Sequence, residues 1–321
     1  MNKFKAKLRG SISILALTAI IASSLAGSYY YIDQKADTRA QHTLSKVVDD
    51  AKSEGVELTY SSVDASPLLR NITVSDFKIL GNSQEPDITL GHISITGFNW
   101  HDLNQETDKL PLALSIDIQN AVLHLKPSMV ENDADLQALV KTFGSQINFS
   151  SHFAYSLNQE SGLLSISTTE TVVDNFSFKS DLTIGSAAWL AEIDANSEDK
   201  PLSELMSTTL NTLSITFNND GIIEKIRSVA AKKTGQSQEQ LTQDSVDQIK
   251  QLQQVAQKNW GPLFVPMIDE LIKFTIKPQQ LHITINPEAP LNGDDFMLAF
   301  IGGDAGLLTL IEQAHIQLKA N

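Results

Sequence analysis

Residues 112–125 read LALSIDIQNAVLHL, and this stretch decides the fold class. Apolar side chains take every second position from Leu112 to Ile118, which is the period of a β-strand with one buried face. Two polar residues then intervene, and the alternation resumes at Ala121 in the opposite parity. A strand that exchanges its apolar face in this way predicts a bulge or a strong twist within a long sheet.

The same exchange of parity occurs in two earlier segments. Ile72 and Val74 are followed by Phe77 and Ile79 in the other parity, and the alternation of residues 88–90 changes at residues 93–95. Further segments with a period of two follow along the chain: Phe149–Leu157, Leu164–Ile166, Phe176–Ile184, Leu213–Phe217, Leu281–Ile285 and Ile316–Leu318. We therefore predict one long, twisted, mostly antiparallel sheet.

Helical spacing interrupts the strands, chiefly in residues 219–275. These segments have apolar spacings of three and four, caps or glycine stops: Leu136–Phe143, Ile222–Ala230, a Gln-rich helix from Ser237 to about Trp260, a helix at Pro266 and a short helix near Leu307–Ile311. The predicted fold class is α+β, with helices packed on or beside the sheet. The narrow apolar stripe of the Gln-rich helix fits either packing within the domain or docking to a partner.

The N-terminus predicts membrane attachment. Residues 1–10 contain four basic residues and no acid, and residues 11–32 contain no charge. A helix of 22 residues spans roughly 30 Å, enough for a bilayer. Basic residues before the span keep that end in the cytoplasm, so we expect a single-pass signal anchor in the inner membrane. Small residues at Ser24 and Ala26 leave a cleavable signal peptide as the alternative.

The remaining chain divides by its periodicity. Residues 33–55 have helical spacing and are predicted to form a stalk that docks on the domain or on a partner. Residues 56–321 are predicted to form a β-rich periplasmic domain, with a helical insertion at about 219–275. Whether this region is one domain or two related halves stays open.

Composition and motifs exclude several kinds of function. The net charge is −14, which disfavours nucleic acid as a partner. The chain has no cysteine, which excludes disulfides and thiol chemistry. We find no pattern that predicts a catalytic, cofactor-binding or metal residue, and the seven histidines lack the spacing of a helical metal site. Asp294, Asp295 and Asp304 could form a cation site, and residues 302–306 could bind an anion, but helix capping by Asp304 is the simpler interpretation.

A resemblance adds to this pattern. The basic start, the apolar span and the strands of residues 58–77 and 88–95 resemble the opening of AsmA-like proteins, which are anchored in the inner membrane and extend into the periplasm. Residues 215–221 and 281–287 are similar to uncharacterised proteobacterial envelope proteins. The resemblance implies a Gram-negative periplasm and a curled sheet with a lipid-handling groove. It carries no catalytic residues to this chain.

The sequence supports three hypotheses of function. The first is a non-enzymatic, membrane-tethered periplasmic protein that binds lipid or another apolar ligand in a curled-sheet groove for envelope maintenance. The second is a scaffold of an envelope protein complex, with the stalk and the Gln-rich helix as docking surfaces. The third is a hydrolase built from scattered Asp and His residues, although no motif places a nucleophile beside a base.

Overall fold

The computed structural model describes residues 36–53, 56–66, 70–80, 86–97, 111–126, 134–192 and 202–321. Within these ranges, twelve strands form one antiparallel sheet. The strands are β1 (Glu57–Thr59), β2 (Ser62–Ser66), β3 (Asn71–Leu80), β4 (Pro86–Thr96), β5 (Ala113–His124), β6 (Gln146–Asn158), β7 (Leu163–Val172), β8 (Phe176–Gly185), β9 (Thr209–Asn219), β10 (Gln280–Ile285), β11 (Leu291–Asn292) and β12 (Gln317–Ala320).

The sheet is a meander in which strands consecutive in sequence lie side by side. Its order is β1-β3-β4-β5-β6-β7-β8-β9-β10-β12, with β2 also paired to β3 and β11 to β9. Together β1 and β2 follow one side of β3, from Leu80 to Asn71. Because all these pairs are antiparallel, the connections alternate between two ends of the sheet. The predicted α+β class with a large antiparallel sheet is confirmed.

The predicted changes of parity coincide with one line of irregular backbone across neighbouring strands. In β3 the buried side chains change parity at Asp76, whose φ is 50°, and in β5 they change at Asn120, whose φ is 54°. Gly91 lies between them in β4, and a Cβ added there would be 2.9 Å from the Cβ of Asn120. The apolar residues thus change parity in the sequence at the same level in three adjacent strands, and their side chains stay on one side of the sheet.

Eight α-helices lie in the described ranges. They are α1 (Ala36–Ser53), α2 (Ala134–Phe143), α3 (Leu202–Ser207), α4 (Ile222–Thr234), α5 (Gln238–Trp260), α6 (Val265–Ile276), α7 (Gly293–Ile301) and α8 (Gly303–Ala314). Two short 3₁₀ helices cover Ala188–Glu192 and Gly261–Phe264.

Helix α1 occupies most of the segment predicted as a stalk, and it lies against the sheet. It packs on β1 and β2, and Leu44 is only 1% exposed within the main hydrophobic cluster. The amide of Val56 donates to the carbonyl of Ala51, which places the C-terminal end of α1 beside the start of β1. Of the two predicted docking modes, packing against the chain's own domain is the one that the structure shows.

The helical insertion lies between β9 and β10, as helices α4, α5 and α6. The predicted capping box of α5 is present, because Ser237 and Gln240 satisfy each other's backbone amides. Helix α4 ends at Gly235, whose φ of 73° suits glycine. Helix α6 packs against β12, and its Phe274 meets Phe217 of β9 edge to face at 6.1 Å.

The C-terminal region differs from its prediction. The sequence predicted one short helix near Leu307–Ile311, whereas the structure has a helical hairpin, α7 and α8. Asn292 caps α7 by accepting from the amides of Asp294 and Asp295. The predicted capping by Asp304 is wrong: Gly302 holds the cap position without a side-chain bond, and Asp304 lies in the first turn.

The predicted signal anchor at residues 11–32 and its basic flank lie outside the described residues. Within the described ranges, no helix combines the length and hydropathy needed to cross a membrane.

Candidate functional site

One face of the sheet carries apolar side chains in every long strand, interrupted by a few polar residues. In β6–β9, apolar residues alternate with Ser, Thr and other polar residues that face the other side. The register aligns the apolar-face residues in rows across the strands. One such row runs from β5 to β12: Ile116, Phe153, Thr168, Ser180, Ile215, Ile283 and Leu318.

The burial of this face changes along the sheet. In β3, β4 and β5 the apolar side chains are fully enclosed, as shown by Phe77, Ile93 and Ile116, each at most 1% exposed. These residues form the main hydrophobic cluster together with Leu44 of α1. Helix α1 therefore helps to close the first half of the apolar face.

The opposite flank is covered by the helical insertion. Helix α6 packs along β12, and Glu270 accepts the backbone amide of Ala320 at 2.8 Å. Phe274 closes over Phe217, which in turn stacks on Phe176 at 5.8 Å. This cover reaches the end of β9 that adjoins the insertion.

From β6 onward most apolar side chains of this face are only partly buried, and those between the two covers form its middle. We call this part of the sheet the central apolar face, and it consists of Phe153, Tyr155, Ile166, Leu182, Leu213 and Ile215. Near one end of it, the 3₁₀ helix at Ala188–Glu192 packs with Leu157 and Leu164 in a small separate cluster. A contiguous apolar surface that its own helices leave partly open is typical of a binding surface.

Four polar side chains lie within this apolar face. The Ser151 hydroxyl donates to Oε1 of Glu170 at 2.8 Å, and the hydroxyls of Thr168 and Ser180 are 2.8 Å apart. Burial raises the pKa of Glu170, and the hydrogen bond from Ser151 opposes that rise. The face therefore offers a carboxyl group that can accept a hydrogen bond from a ligand in apolar surroundings.

Tyr155 lies at the edge of the central apolar face and is held in place by a hydrogen bond. Its hydroxyl donates to the carbonyl of Pro111 at 2.8 Å, and its ring packs beside Phe153. Burial raises the pKa of Tyr155 to about 12, so the phenol stays protonated and keeps this bond throughout the physiological range.

The polar face carries an Asp–His pair. Oδ1 of Asp117 lies 2.7 Å from Nδ1 of His152, and both side chains are more than a third exposed. The Ser115 hydroxyl points to the same carboxylate, with its oxygen 3.5 Å from Oδ2 of Asp117. A nucleophilic serine needs its hydroxyl on the imidazole, whereas here both groups contact the carboxylate. This geometry does not support the hydrolase hypothesis.

The candidate cation residues lie at two helix starts. Asp294 and Asp295 belong to the first turn of α7, where Asp295 also accepts the amide of Asn292, and Asp304 lies in the first turn of α8. Helix dipoles favour carboxylates at such positions without any metal. Within the described ranges, no group of three or more His, Asp or Glu side chains is arranged to hold a metal ion.

Sequence reasoning did not single out Ser151 or Glu170. The sequence signal that could have identified Glu170 is its parity. It shares the alternating positions of Leu164, Ile166 and Thr168 along β7, which face the apolar side. An acidic residue at an apolar-parity position is an exception to the alternation. Only the strand register places it beside Ser151.

Comparison with protein families finds a match to part of the chain. The family model described as "Uncharacterized protein" matches residues 170–321, which run from the end of β7 through β12 and include the helical insertion. No curated protein matches the chain. The description names no activity, ligand or partner, and the resemblance to AsmA-like proteins stays a prediction.

Proposed function

We propose that the chain is a membrane-tethered periplasmic protein that binds a lipid or another apolar ligand on the central apolar face, without catalysis. The observation that supports this most directly is the difference in burial along one continuous face. The apolar residues of β3–β5 beside α1 are fully buried, whereas Phe153, Ile166 and Leu213 further along the face are partly exposed.

The hydrophobic effect makes the partly exposed apolar side chains energetically unfavourable in water. Burying apolar surface is worth about 25 cal/mol per Å², so leaving a row of large aliphatic and aromatic side chains partly exposed forgoes stability. A ligand with an acyl chain would recover that burial. Ser, Thr, Lys and Asp occupy most positions of the opposite face in β7 and β8, so the apolar residues of these strands are concentrated on one face.

The polar centre defines the ligand further. Glu170 accepts from Ser151 on one side and faces Phe178 on the other, so it would pair with a hydrogen-bond donor that enters the same face. A hydroxyl or ammonium group on an otherwise apolar molecule satisfies this requirement. We therefore propose an amphiphile with a donor group, rather than a plain hydrocarbon.

The proposed tether rests on the sequence of residues 1–32. An uncharged stretch of 22 residues after four bases is long enough to span a bilayer and orients the following domain outward. A lipid-binding surface fixed to a membrane has its ligand at high effective concentration.

The test compares two matched substitutions in the full-length protein. Leu182→Asp places a charge on the central apolar face, while Thr183→Asp places the same charge on the polar face of the same strand. Each variant is extracted in mild detergent, and co-purifying lipids are measured by native mass spectrometry. We expect Leu182→Asp to lose the bound lipid and Thr183→Asp to retain it.

A third variant guards against a folding defect. Ser180→Phe adds no charge to the face but fills space beside Ile215, its cross-strand neighbour. It should exclude ligand while circular dichroism remains that of the wild type. Lipids around the proposed tether are common to all variants, so only differences between variants count. Equal lipid content in all three would refute binding at this face.

The scaffold hypothesis has its own supporting observation on α5. This Gln-rich helix buries Val246 and Ala256 against the domain but leaves Leu252 65% and Val255 54% exposed. Crosslinked envelope proteins that disappear in a Leu252→Ser/Val255→Ser variant would favour the scaffold. Exposed neighbours in α5, such as Gln251 and Gln254, provide the control positions.

A further inference from the structure

The four polar side chains of the apolar face form one compact group. Glu170 is the cross-strand partner of Ser151, and Thr168 is the cross-strand partner of Ser180. Thr168 and Glu170 stand two residues apart on the same face of β7, so the two hydrogen-bonded pairs are neighbours. We call this group the polar quartet, and it consists of Ser151, Thr168, Glu170 and Ser180.

Apolar side chains border the polar quartet on all sides of this face. The register places them in the next row at each end and on the neighbouring strands: Phe149, Val172, Ile166, Leu182, Ile118 and Ile215. Polar groups in such surroundings lower stability unless they have hydrogen-bond partners. A few convergent polar groups within an apolar surface are also the usual means by which a binding site orients its ligand.

A count of protons shows what the polar quartet can still bind. Each hydroxyl has one proton to donate. The Thr168 and Ser180 oxygens are 2.8 Å apart, so one of their two protons lies between them and the other is left over. Ser151 donates to Oε1 of Glu170, which leaves Oε2 as an acceptor. Among the described residues, no further side-chain hydrogen bond reaches the quartet.

The polar quartet therefore offers one donor and one acceptor. Thr168, Glu170 and Ser180 are partly exposed, so water can pair with both groups while the face is open. A ligand that covers the quartet displaces this water and has to replace both hydrogen bonds. A plain alkyl chain replaces neither, and an unpaired buried group lowers affinity by roughly tenfold or more.

A hydroxyl group fits these requirements better than an ammonium group. An ammonium donates hydrogen bonds and accepts none, so it cannot take the remaining proton of the Thr168–Ser180 pair. Burial raises the pKa of Glu170, which favours the neutral carboxyl and weakens its attraction for a cation. A hydroxyl both donates and accepts, so it pairs with both parts of the quartet and with either protonation state of the carboxyl.

We propose that the polar quartet recognises a hydroxyl group on an aliphatic chain, so that the ligand of the central apolar face is a hydroxylated lipid. This inference rests on the proposed function, because the same face holds the apolar part of the ligand. Since apolar residues lie beyond the quartet at both ends, the hydroxyl belongs within the chain and not at its end. It pairs with Glu170 and accepts from the Thr168–Ser180 pair.

A competition in a single sample tests this inference. Full-length protein in mild detergent is incubated with equal amounts of methyl stearate, methyl hydroxystearate and methyl aminostearate, the last two substituted at the same central carbon. Native mass spectrometry separates the bound forms by mass, and Leu182→Asp gives the background bound elsewhere on the protein. We expect methyl hydroxystearate to exceed methyl stearate by roughly tenfold, and to exceed the amine as well.

Matched variants assign the preference to the polar quartet. Thr168→Val/Ser180→Ala removes both partners of one hydrogen bond, so it leaves no half of that pair unsatisfied. Its preference for the hydroxylated probe should fall several-fold. Thr168→Ser keeps the hydroxyl and should keep the preference, as should Thr169→Val on the polar face of the same strand. A folding defect would lower all three probes alike, so the ratio between probes is the readout.

The outcomes separate this inference from the proposed function. Equal binding of methyl stearate and methyl hydroxystearate, both lost in Leu182→Asp, would overturn the hydroxyl preference and leave the apolar binding face standing. A preference for methyl aminostearate would overturn it in favour of an ammonium ligand. A hydroxyl preference that the double variant retains would overturn its assignment to the quartet. If Leu182→Asp binds every probe as the wild type does, the proposed function fails and the inference fails with it.

Discussion

At the scale of single residues, the line of irregular backbone through Asp76, Gly91 and Asn120 lets the first strands keep one apolar side. The contact between Gly91 and Asn120 is too close for any larger residue at position 91. Positive φ values at Asp76 and Asn120 suit residue types that tolerate the left-handed region. The change of parity in the sequence predicted a backbone irregularity in these strands, and these three positions are where it occurs.

Gly91→Ala tests this contact. The added Cβ would lie 2.9 Å from the Cβ of Asn120, so overpacking should lower the free energy of unfolding by about 1–3 kcal/mol. Denaturant unfolding of the purified protein measures it. The double variant Gly91→Ala/Asn120→Gly removes the opposing Cβ and should recover part of the loss. Strict additivity of the two changes would contradict the steric explanation.

Glu170→Gln tests the polar centre of the apolar face. Because burial raises the pKa of Glu170, the folded state holds this proton more tightly than the unfolded state. The stability that this group contributes is therefore greatest in acid and falls as pH rises from the ordinary carboxyl pKa through the raised one. Relative to wild type, Glu170→Gln should gain stability as pH rises through that window.

Unfolding midpoints at a series of pH values check this trend. Glu160→Gln, at an exposed carboxyl in the turn after β6, is the matched control. A difference between Glu170→Gln and wild type that does not change with pH, or that falls as pH rises, would contradict the assignment.

At the scale of elements, α1 is part of the domain rather than a free spacer. Leu44 sits in the main cluster, so Leu44→Ala should cost about 2–5 kcal/mol of unfolding free energy. The exposed Lys46→Ala on the same helix should change stability by less than about 0.5 kcal/mol. Thermal or chemical unfolding measures both. Equal, small effects of the two changes would show that α1 does not stabilise the sheet.

The elements predicted well are those whose signal is local. The capping box at Ser237, the glycine stop at Gly235 and the alternation of β6 each depend on residues close in sequence. Helix α7 was missed because its large apolar residues lie on its outer surface, and the small Ala299 on its inner one. This inverts the amphipathic pattern by which a soluble helix is recognised.

At the scale of the whole molecule, the antiparallel class and the persistence of one apolar side follow from period and parity. The cover of that side cannot be predicted in this way, because it depends on where α1 and α6 pack in three dimensions. The pairing of Ser151 with Glu170 likewise depends on register, which alternation alone leaves free by two residues. The sequence therefore predicts that the sheet has an apolar face, but it does not predict which part of that face stays exposed.

The central claim is that a lipid-like ligand lies on the central apolar face between α1 and α6. Photocrosslinking of the full-length protein with a phospholipid that carries a diazirine on its acyl chain, followed by peptide mapping, tests it most directly. The account predicts adducts on β7, β8 and β9 at apolar-parity residues such as Ile166, Leu182 and Leu213. Adducts confined to residues 11–32 and the α7–α8 hairpin would contradict it.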